Sequence, residues 1–309
     1  MWLNSAYIFL MRILVTGGTG FIGSNLSLRL LSAGHELLIT GHDAEQELSG
    51  FSGKYLQPGF LGIDWSAIGR VDILFHQAAI NDTTLADERE MMRASVDASK
   101  QLFQCVAEGG CRTIVYASST AVYGNVPAPY REAGPLQPLN AYARSKKLLE
   151  DFASEFTRNH PEVTVVGLRY CNVYGPRENH KGKRASMIWQ LSQQMKKGRP
   201  RIFKHGEQLR DYIYVEDVVH ANLLASEAKE SCIVNCGSGS ATSFNDLIGV
   251  LNEVLGLRKV PEYIENPHAD QYQSHTQCDM TLAKEKLGFV PKFDIRSGLE
   301  AYLRSGFLF

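Results

Sequence analysis

The stretch Arg12-Ile-Leu-Val-Thr-Gly-Gly-Thr-Gly-Phe-Ile-Gly23 decides which fold this sequence of 309 residues can adopt. Its first five residues form an apolar, β-branched run that is typical of a buried strand, and a helical pattern of leucines follows it until Gly34. The glycines between the two elements, Gly17, Gly20 and Gly23, allow a sharp turn and a close approach of the backbone to a ligand. The order of strand, glycine turn and helix therefore predicts a dinucleotide-binding turn, with the helix N-terminus directed at a pyrophosphate.

The same alternation of strand and helix continues to about residue 170. Further buried strands are predicted at Glu36 to Thr40, Val71 to Phe75, Thr113 to Ala117 and Val163 to Arg169, and a helix is predicted over Met92 to Gln104. This pattern predicts an α/β fold with a doubly wound parallel (Rossmann) sheet. Ligands of such sheets lie outside the carboxyl ends of the strands, so we expect the glycine turn and the serines after the 113–117 strand at one edge.

The pattern changes after residue 170, which indicates a second, smaller unit. We expect a Rossmann domain from residues 11–170 plus about 211–236, and a discontinuous C-terminal substrate lobe from about 171–210 plus 237–309. Residues 1–10 resemble neither a signal peptide nor a membrane span, and are interpreted as an extension of doubtful relevance. The active cleft is expected between the two lobes.

The composition excludes several classes of protein. With 44% hydrophobic and 21% charged residues the chain is globular, and 32 basic against 33 acidic side chains leave no bulk positive charge to bind nucleic acid. No apolar run is long enough to predict a membrane partner. The six cysteines contain no CxxC pair, so no metal site is predicted, and reduced thiols in a cytoplasmic protein are expected.

The sequence Ala141-Tyr142-Ala143-Arg144-Ser145-Lys146 is the first candidate for chemistry. On a helix, Tyr142 and Lys146 lie one turn apart on the same face, as many ordinary exposed pairs do. A cation near a phenol favours the phenolate, so we expect Lys146 to lower the pKa of Tyr142 and make it a usable base. Ser119, delivered by the strand that ends near Ala117, could bind the oxygen whose proton moves.

The end of the second strand bears on which dinucleotide binds. In NAD-binding sheets a carboxylate there holds the adenosine ribose, whereas this chain has Gly41-His42-Asp43. Loss of that charge removes repulsion against a 2′-phosphate, and His42 could partner the phosphate. The sequence therefore favours NADP, with NAD possible.

Several motifs occur together and in order: the glycine turn, Ser118-Ser119 before Val122-Tyr123-Gly124, Tyr142-x-x-x-Lys146, and Arg169-Tyr-Cys-Asn172-Val-Tyr-Gly-Pro176. With them the chain resembles the extended short-chain dehydrogenase/reductase superfamily, the nucleotide-sugar epimerases and dehydratases, from residue 11 to about 305. The resemblance implies a bound nicotinamide cofactor, a nucleotide-diphosphate sugar as substrate, a homo-oligomer, and catalysis by Ser119, Tyr142 and Lys146. Cofactor contacts are expected from Gly17, Gly20, Phe21, Ile22, Gly23, His42, Gln77, Ala78, Ala79, Lys146 and Val173.

A narrower resemblance rests on His180-Lys181-Gly182, on Asp82-Thr83-Thr84 and on the segment from Gln271 to Gln277. These residues look like those of the ADP-glycero-manno-heptose 6-epimerases, in which a loop lysine is the second acid/base opposite the tyrosine. The matching residue here is Lys181. Substrate contacts implied by this resemblance fall on Asn172, Lys183, Gln190, Phe203, Arg210 and Tyr272, and the chain departs from the family pattern at Ser95, Cys171, Lys183, Gln190 and Gln271.

Inverting an unactivated carbinol centre requires removal of a hydride and its return to the other face, with one proton moving each way. At an exocyclic carbon the hydroxyl meets different protein groups before and after inversion, so two bases are needed, Tyr142 and Lys181. The alternatives are a UDP-hexose 4-epimerase, in which Tyr142 alone handles both protons, and a catalytically silent NADP-sensing binding protein. A dehydratase is disfavoured because Thr120 follows Ser119 and no Asp-Glu pair comes after it.

Overall fold

The computed structural model describes residues 10–41, 48, 50–56, 60–79, 88–266 and 273–309. The predictions for His42, Tyr272, Gln271, the Asp82-Thr83-Thr84 motif and residues 1–9 concern positions outside these ranges. None of the helices in the described ranges combines the length and the apolar character that crossing a bilayer requires.

A parallel sheet, seven-stranded within the described ranges, forms the centre of the molecule, and every neighbouring pair of its strands runs in the same direction. The strands of this sheet are β1 (Arg12–Thr16), β2 (Glu36–Thr40), β3 (Lys54–Leu56), β4 (Ile73–His76), β5 (Thr113–Ser119), β6 (Thr164–Tyr170) and β11 (Cys232–Cys236). Their order in the sheet is β11-β6-β5-β4-β1-β2-β3, which confirms the doubly wound parallel sheet. Strand β3 was not predicted, because three residues are too few to show a period.

Short strand pairs follow the sheet in the C-terminal half: β7 (Val173–Tyr174) with β10 (Ile213–Tyr214), β8 (Arg201–Phe203) with β13 (Glu262–Ile264), and β9 (Leu209–Asp211) with β12 (Ala241–Ser243). Residues 209–214 form two short strands, β9 and β10, which pair with different partners. The division of the chain into two lobes stays a prediction.

The helices predicted after the glycine turn and at Tyr142 are present, and further helices follow in the C-terminal half. They are α1 (Phe21–Ser32), α2 (Glu88–Met92), α3 (Ala98–Glu108), α4 (Ala141–Asn159), α5 (Met187–Lys197), α6 (Val215–Ser226), α7 (Phe244–Leu255), α8 (Thr281–Leu287) and α9 (Ile295–Arg304). The predicted helix over residues 92–104 is interrupted, because a π-helical segment, Arg93–Asp97, joins α2 to α3.

Both faces of the sheet are buried, as expected for a parallel sheet covered by helices. On β1, Ile13 and Val15 belong to one core with residues of α1 and α6, whereas Leu14 belongs to the opposite core with residues of α3 and α4. Along β5 and β6 the parallel register pairs Ser118 with Arg169 and Ser119 with Tyr170. The carboxyl ends of β1, β4, β5 and β6 therefore meet at one edge, as predicted.

Candidate active site

The glycine turn between β1 and α1 has no room for a side chain at Gly17 or Gly23. Gly17 has a φ of +66°, and a Cβ built on it would lie 2.8 Å from the backbone nitrogen of Ala78. A Cβ on Gly23 would lie 2.1 Å from the carbonyl oxygen of Gly17. The first residues of α1 carry no side-chain cap, because the N-cap residue is Gly20. This cradle fits the pyrophosphate of a dinucleotide, since free helix N–H groups and close backbone approach are what such a site needs.

Gly17→Ala is expected to destabilise the fold by about 1–3 kcal/mol and to weaken dinucleotide binding at least tenfold, because the new methyl group would crowd the end of β4. Gly34→Ala is the matched control, since Gly34 also has a positive φ, +87°, but no heavy atom lies within 4 Å of its Cβ position. That variant should lose stability through backbone strain alone. Thermal unfolding and a cofactor titration of both proteins check this. Equal cofactor affinity in the two variants would contradict it.

The residue after β2 is a glycine for a packing reason. A Cβ on Gly41 would lie 1.8 Å from the Oγ1 atom of Thr19, so no carboxylate side chain can stand there without displacing Thr19. Thr19 itself is buried in the glycine turn. The structure therefore agrees with the missing carboxylate at this strand end and explains it through packing.

The end of β4 is fixed by side-chain hydrogen bonds. His76 is buried, with Nδ1 2.7 Å from the Oγ1 of Thr16 and Nε2 2.8 Å from the Oγ of Ser99, so it is a packed strand-end histidine. The Gln77 side chain donates to the Oδ1 of Asn222, 3.0 Å away. The Ala78 N–H lies 3.3 Å from the Thr16 Oγ1. Of the predicted contacts after β4, Ala78 and Ala79 offer small side chains to a ligand, whereas the side chain of Gln77 is engaged in the fold.

Tyr142 and Lys146 are placed by the first turns of α4. Asn140 caps this helix, since its Oδ1 accepts the Ala143 N–H at 2.8 Å. The Lys146 Nζ lies 5.8 Å from the centre of the Tyr142 ring and donates to the carbonyl oxygen of Ala117 at 2.7 Å. The helix confirms the stacking of the two residues, and it shows that the ammonium group is anchored to β5.

The hydroxyl groups of Ser119 and Tyr142 meet at the edge of the sheet. Ser119 is the N-cap of a 3₁₀ turn and accepts the Ala121 N–H at 3.2 Å, and it makes a side-chain hydrogen bond with Tyr142. Burial raises the pKa of Tyr142, and the hydrogen bond with Ser119 acts in the opposite direction. The expected lowering of this pKa by Lys146 is wrong for this structure, because the Nζ of Lys146 is directed at Ala117.

Lys146 is itself strongly affected by burial. The side chain is 3% exposed, and desolvation lowers the pKa of Lys146 to about 8, with the carboxylate of Glu150 opposing this effect. The positive charge of Lys146 adds to the burial that lowers the pKa of His76 to about 3, so this histidine is neutral. A lysine with a pKa of about 8 changes charge near physiological pH, as groups at functional sites often do.

The loop after β7 brings Lys181 to the glycine turn. Its Nζ lies 5.2 Å from the centre of the Phe21 ring, at the start of α1. Asn25 on α1 donates to the carbonyl oxygen of Pro176 at 3.0 Å, which holds the loop against the same helix. Lys181 is half-buried, and desolvation lowers its pKa while Glu178 raises it.

Glu178, which was not predicted as a functional residue, holds the two ends of this loop together. The fully buried carboxylate accepts the Gly175 N–H at 3.1 Å, and the Ser186 N–H at 2.5 Å and hydroxyl at 2.8 Å. It also accepts the hydroxyl of Tyr302 at 3.2 Å. One side chain therefore binds the entry and the exit of the segment that carries Lys181. The sequence signal that could have pointed to it is that Glu178 is the single acidic residue in the basic segment 177–184.

The predicted substrate residues lie around β7 to β10. Asn172 is exposed, and its amide donates to the Asp211 carbonyl at 2.9 Å and the Thr276 Oγ1 at 3.1 Å. The half-buried Arg210 lies on β9 with its guanidinium 6.0 Å from the centre of the Phe244 ring. The Gln190 side chain donates to the backbone carbonyls of Lys183 at 3.2 Å and of Ala185 at 2.8 Å. The remaining predicted contacts differ in exposure: Lys183 is exposed, and Val173 and Phe203 are half-buried.

Asp211 lies at the end of β9 within 4.8 Å of the thiol groups of Cys171 and Cys278, a set of residue types that could hold a metal ion. However, its two oxygens accept four hydrogen bonds: from the N–H and hydroxyl of Ser238 and from the N–H groups of Gly239 and Cys278. These bonds occupy the lone pairs of the carboxylate. Asp211 is therefore an anchor of the backbone beside Arg210.

Comparison with known proteins places this geometry in a family context. The model of the NAD dependent epimerase/dehydratase family matches residues 13–237. The ADP-L-glycero-D-manno-heptose-6-epimerase of Brachyspira hyodysenteriae is 35% identical over 307 residues, which cover 94% of this chain and 96% of that protein.

Two solved structures have the same fold along nearly the whole chain. The Helicobacter pylori ADP-L-glycero-D-manno-heptose-6-epimerase is 34% identical, with a TM-score of 0.87 and 96% of each chain covered. The UDP-glucose 4-epimerase of Thermotoga maritima, solved with UDP-glucose, is 29% identical, also with a TM-score of 0.87, covering 96% of this chain and 99% of that one.

Proposed function

Because the chain belongs to the NAD dependent epimerase/dehydratase family, we propose that it epimerises a nucleotide-activated sugar, by transient oxidation to a ketone and reduction on the other face. The proposed substrate is an ADP-heptose, inverted at its exocyclic sixth carbon. A homo-oligomeric assembly and a cytoplasmic location stay predictions.

The position of Lys181 is the observation that carries this proposal. A lysine in an ordinary solvated loop would extend into water, whereas the Nζ of Lys181 lies over the ring of Phe21 and its pKa is lowered by burial. The loop is fixed at both ends by Glu178 and rests on α1 through Asn25. A preorganised, partly desolvated amine beside the dinucleotide turn is suited to general acid/base chemistry.

Each proposed catalytic residue has one task. Ser119 binds the reacting oxygen, and Tyr142 transfers the proton on one side of the substrate while Lys181 transfers it on the other. Lys146 holds the ribose of the cofactor, and Arg210 binds the diphosphate, for which a guanidinium is well suited. When bound, the nicotinamide supplies a reversible hydride acceptor, so that the reaction is redox-neutral overall.

For the cofactor we propose NADP in preference to NAD. The support is Gly41, where the packing of Thr19 excludes the carboxylate that would repel a 2′-phosphate. We expect NADP to bind about tenfold more tightly than NAD, which corresponds to about 1.4 kcal/mol. Titration calorimetry with both dinucleotides checks this, and tighter binding of NAD would refute the preference.

The test of the proposed substrate is a comparison of two sugar nucleotides. The protein is incubated with ADP-D-glycero-D-manno-heptose and, separately, with UDP-glucose, and the stereochemistry of the sugars is followed by NMR. Inversion of the heptose at its sixth carbon is expected. Conversion of UDP-glucose alone would instead support a UDP-hexose 4-epimerase, which the likeness to the Thermotoga maritima enzyme favours as the second candidate.

A further inference from the structure

Glu150 lies on the buried face of α4, one turn beyond Lys146 and two turns beyond Tyr142. Its Oε1 accepts the hydroxyl of Ser118 at 2.5 Å and the Nε of Arg169 at 2.9 Å, and its Oε2 accepts the Nη2 of Arg169 at 2.8 Å. Glu150, Ser118 and Arg169 are each less than 5% exposed. A bidentate ion pair in the interior is held rigidly, because leaving either charge unpaired costs about 3–5 kcal/mol.

This carboxylate connects the two elements that carry the proposed catalytic residues. Ser118 immediately precedes Ser119 on β5, and the residue before it, Ala117, supplies the carbonyl oxygen that binds the Nζ of Lys146. Tyr142 and Lys146 are on the helix that carries Glu150. The contact between Glu150 and Ser118 therefore fixes the distance between the hydroxyl of Ser119 and the side chains of α4.

Glu150 also acts on Lys146 through its charge. Desolvation lowers the pKa of Lys146, and the negative charge of Glu150 raises it. The other titratable groups around Lys146 do not replace this effect: His76 is neutral, burial raises the pKa of Tyr142 and of Tyr116, and Arg169 is a cation. Glu150 is thus the negative charge that faces Lys146 within the described residues.

We propose that Glu150 is a positioning residue of the active site, which aligns Ser119 with Tyr142 through Ser118 and presents a negative charge one helical turn from Lys146. The inference rests on the proposed function for the roles of Ser119, Tyr142 and Lys146. Arg169 serves this arrangement by binding both oxygens of the buried carboxylate. The family resemblance assigned no part to Glu150.

The test compares Glu150→Gln with Arg169→Lys. Both variants lose the bidentate contact of the buried pair, so both should lose thermal stability, but they have different effects on Lys146. Without the carboxylate the pKa of Lys146 should fall below about 8. Activity that needs the ammonium is then lost at a lower pH, so the alkaline limb of the kcat profile moves to lower pH. In Arg169→Lys a cation still faces the carboxylate, so the charge of Glu150 remains and this limb should stay at its wild-type pH.

A second measurement reads Lys146 directly. NMR of protein with ¹³C-labelled lysine follows the titration of Lys146, whose signal is assigned because Lys146→Met removes it. The pKa of Lys146 measured in this way should shift in the same direction as the alkaline limb of the kcat profile. If Glu150→Gln does not fold, the Glu150→Gln/Arg169→Gln double variant carries the same test, because it leaves no buried charge unpaired. If the pKa of Lys146 shifted equally in the glutamate and arginine variants, or in neither, Glu150 would not act on Lys146 through its charge.

Ser118→Ala tests the positioning role separately. It leaves the Glu150–Arg169 pair intact and removes only the link to β5, so kcat should fall about tenfold or more with little change in KM or in the pH profile. An unchanged kcat would overturn this part of the proposal. The NMR titration needs no turnover, so a wild-type protein that converted no sugar nucleotide would refute the proposed function and leave the test of Lys146 in place.

Discussion

Replacing Tyr142 with phenylalanine is expected to lower kcat by about 10²–10⁴-fold, the range for loss of a general acid/base. The ring can still pack at the start of α4, so the substitution removes only the hydroxyl that is hydrogen-bonded to Ser119. Steady-state kinetics with the heptose substrate measure the effect, and cofactor affinity should not change.

Tyr116→Phe is the matched control for this variant. Tyr116 lies on β5, is fully buried, and its hydroxyl has no hydrogen-bond partner among the residues that the structure describes. Loss of that hydroxyl should leave kcat within about twofold, because no buried partner becomes unsatisfied. If Tyr142→Phe retained as much activity as Tyr116→Phe, the role of Tyr142 in proton transfer would be untenable.

Replacing Lys181 with methionine is expected to lower kcat by a similar factor, about 10²–10⁴-fold, if two bases act at an exocyclic carbon. Methionine keeps an unbranched apolar side chain against Phe21, so the loop held by Glu178 should keep its structure. Lys197→Met, an exposed position at the end of α5, is the control and should leave turnover unchanged. Near-normal turnover of Lys181→Met would leave Tyr142 as the single base.

The two variants should also have reciprocal defects when each sugar epimer is given separately in a single turnover. Since each base serves one epimer, Tyr142→Phe should fail to oxidise one of them and Lys181→Met the other. The absorbance of reduced nicotinamide reports this half-reaction. Loss of the same half-reaction in both variants would contradict the assignment of one base to each side.

The sequence was sufficient to predict the parallel sheet, the glycine turn and the pairing of Tyr142 with Lys146. These features depend on local periodicity and on glycines, such as Gly17 and Gly23, at positions where any side chain would clash with the backbone. Short strands were less predictable, because two or three residues are too few to show a period. Examples are β3 and the two strands β9 and β10.

The buried carboxylates Glu150, Glu178 and Asp211 could not be recognised in the same way. Each binds residues that are distant in the chain, such as Arg169 for Glu150 and Tyr302 for Glu178, and a sequence pattern does not show which distant segments meet. Glu150 did carry a local signal, because it continues the four-residue spacing of Tyr142 and Lys146 on α4.

The pKa of Tyr142 was predicted in the wrong direction for a structural reason. The prediction assumed that the nearby ammonium group would dominate, whereas burial raises the pKa of Tyr142 and the Nζ of Lys146 binds the carbonyl of Ala117. Desolvation and the direction of a side chain both depend on tertiary structure, so spacing alone cannot give the sign of such a shift.

The most direct test of transient oxidation and re-reduction is the isotopic composition of the product formed in D₂O. The hydrogen on the inverted carbon should leave and return as a hydride within one active site, so the epimer should contain no deuterium at that carbon by NMR and mass spectrometry. Deuterium from the solvent at the inverted carbon would show that it had been deprotonated, and would contradict the proposed chemistry.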